Sequence, residues 1–235
     1  MMAASQQKPA VTICEASLAD VPAMVAVYFD AFRDSPLNRR CFPESPESRA
    51  YWTKWIEGYI GVPDIYMMVA LVSPPATTPP AGIGAGSGTD AAAPASDAAE
   101  SIVGWARWVR RSGKAQPAPA LTTAAYPPGG EAALALDFFQ TARDASERIV
   151  GGRDYWFLSM IMTRHEARRR GVGAALMRFG VERADEDRLV AYLNASQDGR
   201  PLYELFGFKS IEHTWFDKLG VNMFHMLREP KVIYS

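Results

Sequence analysis

The sequence predicts an α/β (α+β) fold with one central, mixed and twisted sheet that has helices on both faces. The first observation behind this prediction is that segments typical of strands interleave along the chain with segments whose apolar residues recur at helical spacing. The second is that 48% of the 235 residues are hydrophobic, which is enough for a sizeable core. No internal repeat and no second apolar core interrupts this pattern, so we expect a single domain.

The first half of the chain predicts three strands and two helices. Residues 11–17 alternate and are rich in β-branched side chains, which is typical of a strand. A capping sequence at 17–20 then precedes a helix whose apolar face is formed by Val21, Met24, Val25, Tyr28 and Phe32. Three prolines predict a loop between this helix and the next, which begins at Ser45-Pro46 and runs through residue 60. Apolar runs at 64–72 and 101–110 predict the next two strands.

The second half of the chain alternates more regularly. A helix is predicted at 131–149, a strongly apolar strand at 155–163, and a helix after Gly171. A strand at 189–194 and a short helix at 200–206 follow. Two further strands, at 208–216 and 221–227, complete the expected order.

Residues 73–100 differ in composition from the rest of the chain. Proline, alanine, glycine, serine and threonine dominate, so we expect a disordered insertion within the domain. Its GIGAGSG stretch superficially resembles a dinucleotide-binding loop, but no helix follows and Ser87 stands where the third glycine belongs. A second turn-rich stretch, at 112–130, predicts a mobile loop.

Charge, cysteine content and the lack of long apolar runs argue against a nucleic-acid-binding, disulfide-rich, secreted or membrane protein. There are 25 Lys and Arg against 26 Asp and Glu, for a formal net charge of -1, which argues against a nucleic-acid partner. The 2 cysteines make no disulfide framework, and no metal-ligand spacing is present. The first residues lack the apolar region of a secretory signal, and no apolar run has the length of a membrane span. We therefore expect a soluble cytoplasmic protein without a membrane partner.

The stretch RRRGVGAALM, at 168–177, is the most informative one in the chain. It joins an apolar strand to an amphipathic helix, where the first backbone N–H groups of the helix lack partners and its dipole is positive. Gly171 and Gly173 let a ligand approach the backbone, and three arginines add positive charge, so the pattern favours a multiply charged phosphate. The alternative is a solvated basic patch in which the glycines serve only a tight turn. Neither the Walker nor the Rossmann spacing is present.

With this motif the chain resembles the GNAT superfamily of acyl-CoA-dependent N-acyltransferases. Their cofactor motif, Arg/Gln-x-x-Gly-x-Gly/Ala, is matched by residues 168–173. A second family feature, a tyrosine four residues before a Gly-Phe pair, is matched by Tyr203 and residues 207–208. The resemblance covers about residues 10–228, apart from the insertion. The stretches YWFLS and LYELFGF look most similar to puromycin N-acetyltransferase-like members.

The resemblance implies a site for acetyl-CoA. Its pyrophosphate would lie on the amides of residues 169–174, flanked by the arginine side chains. Its pantetheine arm would pair with the backbone of the fourth strand, which the family splays from the fifth, and a backbone amide there would polarise the thioester carbonyl. The implied cofactor-binding residues are Met160, Ile161, Met162, Arg168, Arg169, Arg170, Gly171, Val172, Gly173, Ala174 and Asn194.

The implied catalytic residue is Tyr203, as general acid to the departing thiolate; by its pattern alone it is an ordinary core aromatic. Asn194 could bind the pantetheine, bind a catalytic water, or cap the strand end. No general base is identified, and Glu15, Asp30 and Asp198 are weak candidates. His165, His213 and His225 show no ligand spacing, and no metal is implied. Ser159 has no nucleophile motif around it. Trp52, Trp55 and Tyr59 have the spacing of core residues.

The resemblance implies an N-acetyltransferase that moves acetyl from acetyl-CoA directly to a primary amine of a small molecule or peptide. A longer acyl-CoA is an alternative donor. A different alternative is an acyl-CoA-binding module of the same fold without catalysis. Whether the protein is a homodimer stays open.

Overall fold

The computed structural model describes residues 10–72, 101–113 and 120–231, and its elements follow the predicted order. The strands are β1 (Val11–Glu15), β2 (Ile65–Val72), β3 (Ser101–Arg111), β4 (Tyr155–Thr163), β5 (Val190–Ala195), β6 (Lys209–Phe216) and β7 (Val221–Arg228). The helices are α1 (Val21–Phe32), α2 (Pro36–Cys41), α3 (Pro46–Glu57), α4 (Ala132–Val150), α5 (Val172–Glu186) and α6 (Arg200–Leu205). The insertion expected at 73–100 lies outside the described residues.

The strands form one mixed sheet, which confirms the predicted fold class. Its 7 strands lie in the order β1-β2-β3-β4-β5-β7-β6. The pair β4–β5 is parallel, and each other neighbouring pair is antiparallel. The parallel pair requires a crossover, which α5 supplies, and this places the start of α5 beside the end of β4.

Helices cover both faces of the sheet. On one face α1, α3 and α4 enclose an apolar cluster that includes Met24, Trp52 and Trp105. On the other face α5 packs Leu176 and Met177 against Trp108 and Trp156. We call these the α4 face and the α5 face. Different helices cover the two faces of the sheet. A gap between two strands would therefore connect the α4 face with the α5 face.

The loop predicted between the first two long helices contains a short helix instead, and that prediction was wrong. Ser35 is the N-cap of α2, where its Oγ accepts a hydrogen bond of 3.3 Å from the Asn38 N–H. Pro36 at the first helical position has the backbone angle that a helix needs. The same Ser-Pro pattern starts α3, so this pattern in the sequence predicts the start of both helices.

Short 3-10 turns occur at three further places: Leu18–Asp20, Thr123–Ala125 and His165–Ala167. The turn at 123–125 lies in the turn-rich stretch predicted as a loop, of which 114–119 is outside the described residues. No helix among the described residues combines the length and the apolarity that crossing a membrane requires.

Candidate active site

A cleft opens where β4 and β5 separate. The two strands pair in parallel from Tyr155 opposite Val190 only as far as Leu158 opposite Leu193. The last five residues of β4 have no partner on β5 among the described residues, although their other edge pairs with β3. This free edge includes Met160, Ile161 and Met162, the residues that the family resemblance implies for the pantetheine arm.

A β-bulge lies at the point of separation. Trp108 of β3 pairs with Leu158 and Arg107 pairs with Met160, so Ser159 has no counterpart on β3. An extra residue of this kind bends a strand and increases its local twist. The Ser159 hydroxyl donates a hydrogen bond of 3.2 Å to the Arg107 carbonyl, which stabilises the bulge. The bend therefore begins one residue after the last β4–β5 pair.

The start of α5 presents backbone N–H groups beside this cleft. Gly171, the N-cap, has a φ of 91°, which a residue with a side chain rarely adopts. The first helical bond runs from the Ala175 N–H to the Gly171 carbonyl at 2.9 Å. From 169 to 174 no backbone N–H donates to another described residue. These donors, together with the positive end of the helix dipole, form a site suited to an anion.

The three arginines before α5 differ in their contacts. Arg168 Nη2 donates a hydrogen bond of 2.8 Å to the carbonyl of Ala31 at the end of α1. The side chains of Arg169 and Arg170 are exposed, and the described residues offer them no ion-pair partner. Arg168 thus ties the loop to α1, whereas Arg169 and Arg170 remain available to a ligand.

The same loop is held by a second contact to α1. The backbone N–H of His165 donates to Asp30 Oδ2 at 2.8 Å, and His165 Nδ1 lies 2.9 Å from the Asp30 carbonyl oxygen. Asp30, a weak candidate for general base, is therefore occupied in positioning the loop. Glu15 lies on the edge strand β1, three strand spacings or about 14 Å from β4, and is too far from the cleft to act as the base.

Tyr203 of α6 lies beside the cleft on the α5 face. It belongs to the same apolar cluster as Val172 at the start of α5 and Ala195 at the end of β5. The side chain is 7% exposed, and its hydroxyl makes no hydrogen bond with a described residue. Burial raises the pKa of Tyr203 well above its usual value, so the hydroxyl stays protonated at neutral and alkaline pH. This arrangement suits a proton donor.

Asn194 is the first β5 residue beyond the last pair with β4, and a buried polar network holds it. Its Oδ1 accepts hydrogen bonds from the Tyr192 hydroxyl at 2.8 Å and from His225 Nδ1 at 2.7 Å. The His225 Nε2 lies 2.9 Å from the Thr214 hydroxyl. Burial lowers the pKa of His225, which keeps the ring neutral. The Asn194 side-chain nitrogen donates no bond to a described residue.

Sequence reasoning missed His225, which it counted among three scattered histidines. Both ring nitrogens are engaged in the network, so His225 holds the Asn194 side chain in place and has no free nitrogen to act as a base. Its place beside Asn194 follows from the register of β5 against β7, where the two residues are direct partners. The pattern of each strand alone carries no signal for that register.

The other residues considered in the sequence are three aromatic side chains and Asp198, and they are outside the network around Asn194. Trp52 is 4% exposed in the core, as its spacing indicated. Trp55 and Tyr59 are partly buried against that core and also lie over the guanidinium of Arg107. Asp198 is exposed in the turn between β5 and α6. No group of three or more metal-ligating side chains occurs within residues 10–72, 101–113 and 120–231.

Comparison with known proteins matches one part of the chain to a family. Residues 141–229, which span β4, α5, β5 and α6, match the family described as Acetyltransferase (GNAT) domain. No curated protein matches the chain in sequence.

Solved structures of acetyltransferases share the fold. A histone acetyltransferase HPA2 and related acetyltransferase from Corynebacterium glutamicum is 22% identical, with a TM-score of 0.56 over 96% of this chain and 99% of that chain. An agmatine N-acetyltransferase is 10% identical, with a TM-score of 0.64 over 93% and 99%. The polyamine N-acetyltransferase of Drosophila melanogaster is 12% identical, with a TM-score of 0.62 over 94% and 100%. At such identities the likeness concerns the fold.

Proposed function

We propose that this chain is a GNAT-type acetyltransferase that transfers the acetyl group of acetyl-CoA directly to a primary amine of a small molecule or peptide. The observation that carries the proposal is the separation of β4 from β5 directly beside the unpartnered N–H groups of α5. One cleft thereby offers a free strand edge, an anion site and a proton donor.

The anion site fits the pyrophosphate of acetyl-CoA. The backbone N–H groups from 169 to 174 would donate to its oxygens, and Arg169 and Arg170 would neutralise its charge. Gly173 keeps the helix start free of a side chain, and a β-carbon placed there would make a tight contact of 3.1 Å with a methyl carbon of Leu202. Only two of the three arginines take part in this proposal, because Arg168 bonds to α1.

The free edge of β4 fits the pantetheine arm. The backbone of Met160, Ile161 and Met162 would pair with its amide groups as a neighbouring strand would. Asn194 lies at the end of β5, and its side-chain nitrogen, which donates no bond to a described residue, would donate to a carbonyl of the arm. Acetyl-CoA supplies the acetyl group as an activated thioester.

Tyr203 would act as the general acid. Its hydroxyl is protonated and has no hydrogen-bond partner among the described residues, so it can donate to the sulfur as the carbon–sulfur bond breaks. A backbone N–H at the β4 edge would stabilise the charge that develops on the carbonyl oxygen. The attacking amine would enter from the α4 face and lose its proton to water.

The domain bounds, the location and the partners of the protein belong to the same proposal. Residues 10–228 would form one domain with the insertion 73–100 inside it, and the protein would act in the cytoplasm without nucleic-acid or membrane partners. Two of the solved structures with this fold are an agmatine and a polyamine N-acetyltransferase, so small amines are among the acceptors to test.

The test is an acetylation assay of the full chain with acetyl-CoA and a panel of amines. The panel would contain polyamines, aminoglycosides, amino acids and peptides with free N-termini. We expect release of free CoA thiol together with an acetylated product detected by mass spectrometry. Binding of acetyl-CoA without transfer to any amine would instead indicate a binding module and contradict the proposal.

A further inference from the structure

Arg107 on β3 is a buried cation that has no anionic partner among the described residues. Its side chain is on the α4 face, and the residue is 7% exposed. Nη1 donates to the Ser159 hydroxyl at 2.9 Å, and the guanidinium lies 3.9 Å from the ring centre of Tyr59 and 5.2 Å from that of Trp55. Nε is fully buried and makes no hydrogen bond. The aromatic rings cover the guanidinium but do not satisfy its N–H groups.

Within the part of the chain that the structure describes, a positive charge but no carboxylate acts on Arg107. Burial lowers the pKa of Arg107 to about 10, so the guanidinium is still charged at neutral pH. Arg111, four residues further along the same face of β3, adds a second positive charge. Among the ion pairs of the described residues, none includes either arginine. Leaving a buried charge uncompensated is costly, and an anionic ligand would remove that cost.

The position of Arg107 connects it with the cleft. Ser159, its hydrogen-bond partner, is the bulged residue that follows the last β4–β5 pair. The proposed pyrophosphate site is at the start of α5, on the other face of the sheet. The α4 face is therefore the side from which the amine would approach. Arg107 Nη2 makes no hydrogen bond with a described residue and is not among the fully buried polar atoms, so this end of the guanidinium is partly accessible.

We propose that Arg107 binds a carboxylate of the acceptor, and that the acceptor is therefore a small amine of the amino-acid type. The planar guanidinium matches a carboxylate with two parallel hydrogen bonds, which would satisfy the donors that the protein leaves free. The proposal rests on the proposed acetyl transfer and narrows its substrate. It also predicts that polycationic amines are poor acceptors, because Arg107 and Arg111 repel them.

The experiment compares amino acids with their carboxamides as acceptors. Each pair shares the amine and the side chain and differs in the negative charge. The amine of the carboxamide is less basic and so more often unprotonated, which works against the predicted preference. We expect wild-type kcat/KM to favour the acid by roughly 30-fold or more, as for a buried hydrogen-bonded charge pair.

Arg107→Met should abolish this preference by lowering kcat/KM for the acid alone. Arg110→Met is the matched control, because Arg110 is on the same strand but on the α5 face, where it pairs with Asp187. A merely structural Arg107 would affect the acid and the carboxamide equally. Equal use of both by the wild type, or an unchanged preference in Arg107→Met, would overturn the proposal and leave the acetyl transfer intact.

A binding measurement separates this proposal from the acetylation itself. Calorimetry on the CoA-saturated protein would compare a carboxylic acid that lacks the amine with its carboxamide. The acid should bind the wild type and not Arg107→Lys, which keeps the charge but loses the planar fork. Failure of the acid to bind would overturn the Arg107 assignment even if amines are acetylated. Selective binding without acetylation would support it while the proposed transfer fails.

Discussion

Gly180 of α5 lies directly against the indole ring of Trp108 on β3. A β-carbon at Gly180 would be 2.0 Å from Trp108 Cε2, a distance that no real contact allows. The indole N–H also donates a hydrogen bond of 3.2 Å to the Leu176 carbonyl one turn earlier. Trp108 therefore holds α5 close to the sheet, and this position determines where the N–H groups at the start of the helix meet the cleft.

Gly180→Ala should destabilise the protein by about 1–3 kcal/mol or more, because the added methyl group overpacks this contact. Urea or thermal unfolding would measure the loss. Trp108→Leu provides space, so the double variant should lose less stability than the sum of the two single variants. Additive losses would mean that the close contact does not exist.

Coenzyme A should stabilise the fold, because the proposed phosphate site exists only when the cleft is formed. At about 100 times the dissociation constant the gain is about 2.7 kcal/mol. For a chain of this size the melting temperature should rise by roughly 5–10 °C. Thermal melts with and without CoA would show this shift, and its absence at saturating concentration would contradict the site.

Gly173→Glu should abolish CoA binding in a folded protein, since it places a carboxylate at the start of α5. The β-carbon itself costs little, because it meets only a methyl carbon of the flexible Leu202 side chain at 3.1 Å. Gly173→Gln is the matched control with nearly the same shape and no charge. Calorimetric CoA titration should rank wild type above Gln and Gln above Glu; equal affinities would place the pyrophosphate elsewhere.

Tyr203→Phe should lower kcat by roughly 10²–10⁴-fold, the range for a positioned acid. KM for acetyl-CoA and the melting temperature should change little, since the hydroxyl has no hydrogen-bond partner among the described residues. Because burial raises the pKa of Tyr203, wild-type activity should not decline with Tyr203 ionisation near pH 10. Tyr66→Phe, on β2 away from the cleft, is the control. A turnover within twofold of wild type would make Tyr203 a packing residue.

Stability should fall when the pH drops below about 6.5, the pKa of histidine in an unfolded chain. Burial lowers the pKa of His225 in the folded protein, with Arg148 and His213 acting in the same direction and Glu212 against them. As the pH falls, the unfolded state therefore binds a proton on His225 before the folded state does. The contribution of His225 to stability is complete above this pH and is lost below it, by at most about 1.4 kcal/mol per pH unit.

His225→Gln should flatten this pH dependence, although it lowers stability overall by disrupting the network around Asn194. Melting temperatures between pH 5 and 8 would measure both effects. His213→Gln, on the exposed side of β6, should keep the wild-type slope. A slope that persists in His225→Gln would assign the titration to another group.

Local patterns predicted nearly all of the secondary structure. The strand at 155–163 was predicted with its observed bounds, and most other helices and strands of the described residues were predicted to within one or two residues at each end. Local signals suffice there because apolar spacing, caps and prolines act over a few neighbouring residues. The helix at 36–41 was missed although Ser35-Pro36 has the same signal as Ser45-Pro46, so that error was one of interpretation.

The sequence by itself determined the order of the elements and the arginine- and glycine-rich motif at 168–174, because both depend on neighbours along the chain. The tertiary structure decided which residues meet at the cleft. Asn194 and His225 are 31 residues apart, and Arg107 and Ser159 are 52 apart. They meet because strand register and a bulge bring them together, and register depends on how the whole sheet packs rather than on any one strand. For the same reason the sequence did not reveal that one arginine of the motif bonds to α1, or that an arginine on β3 is buried without an anion.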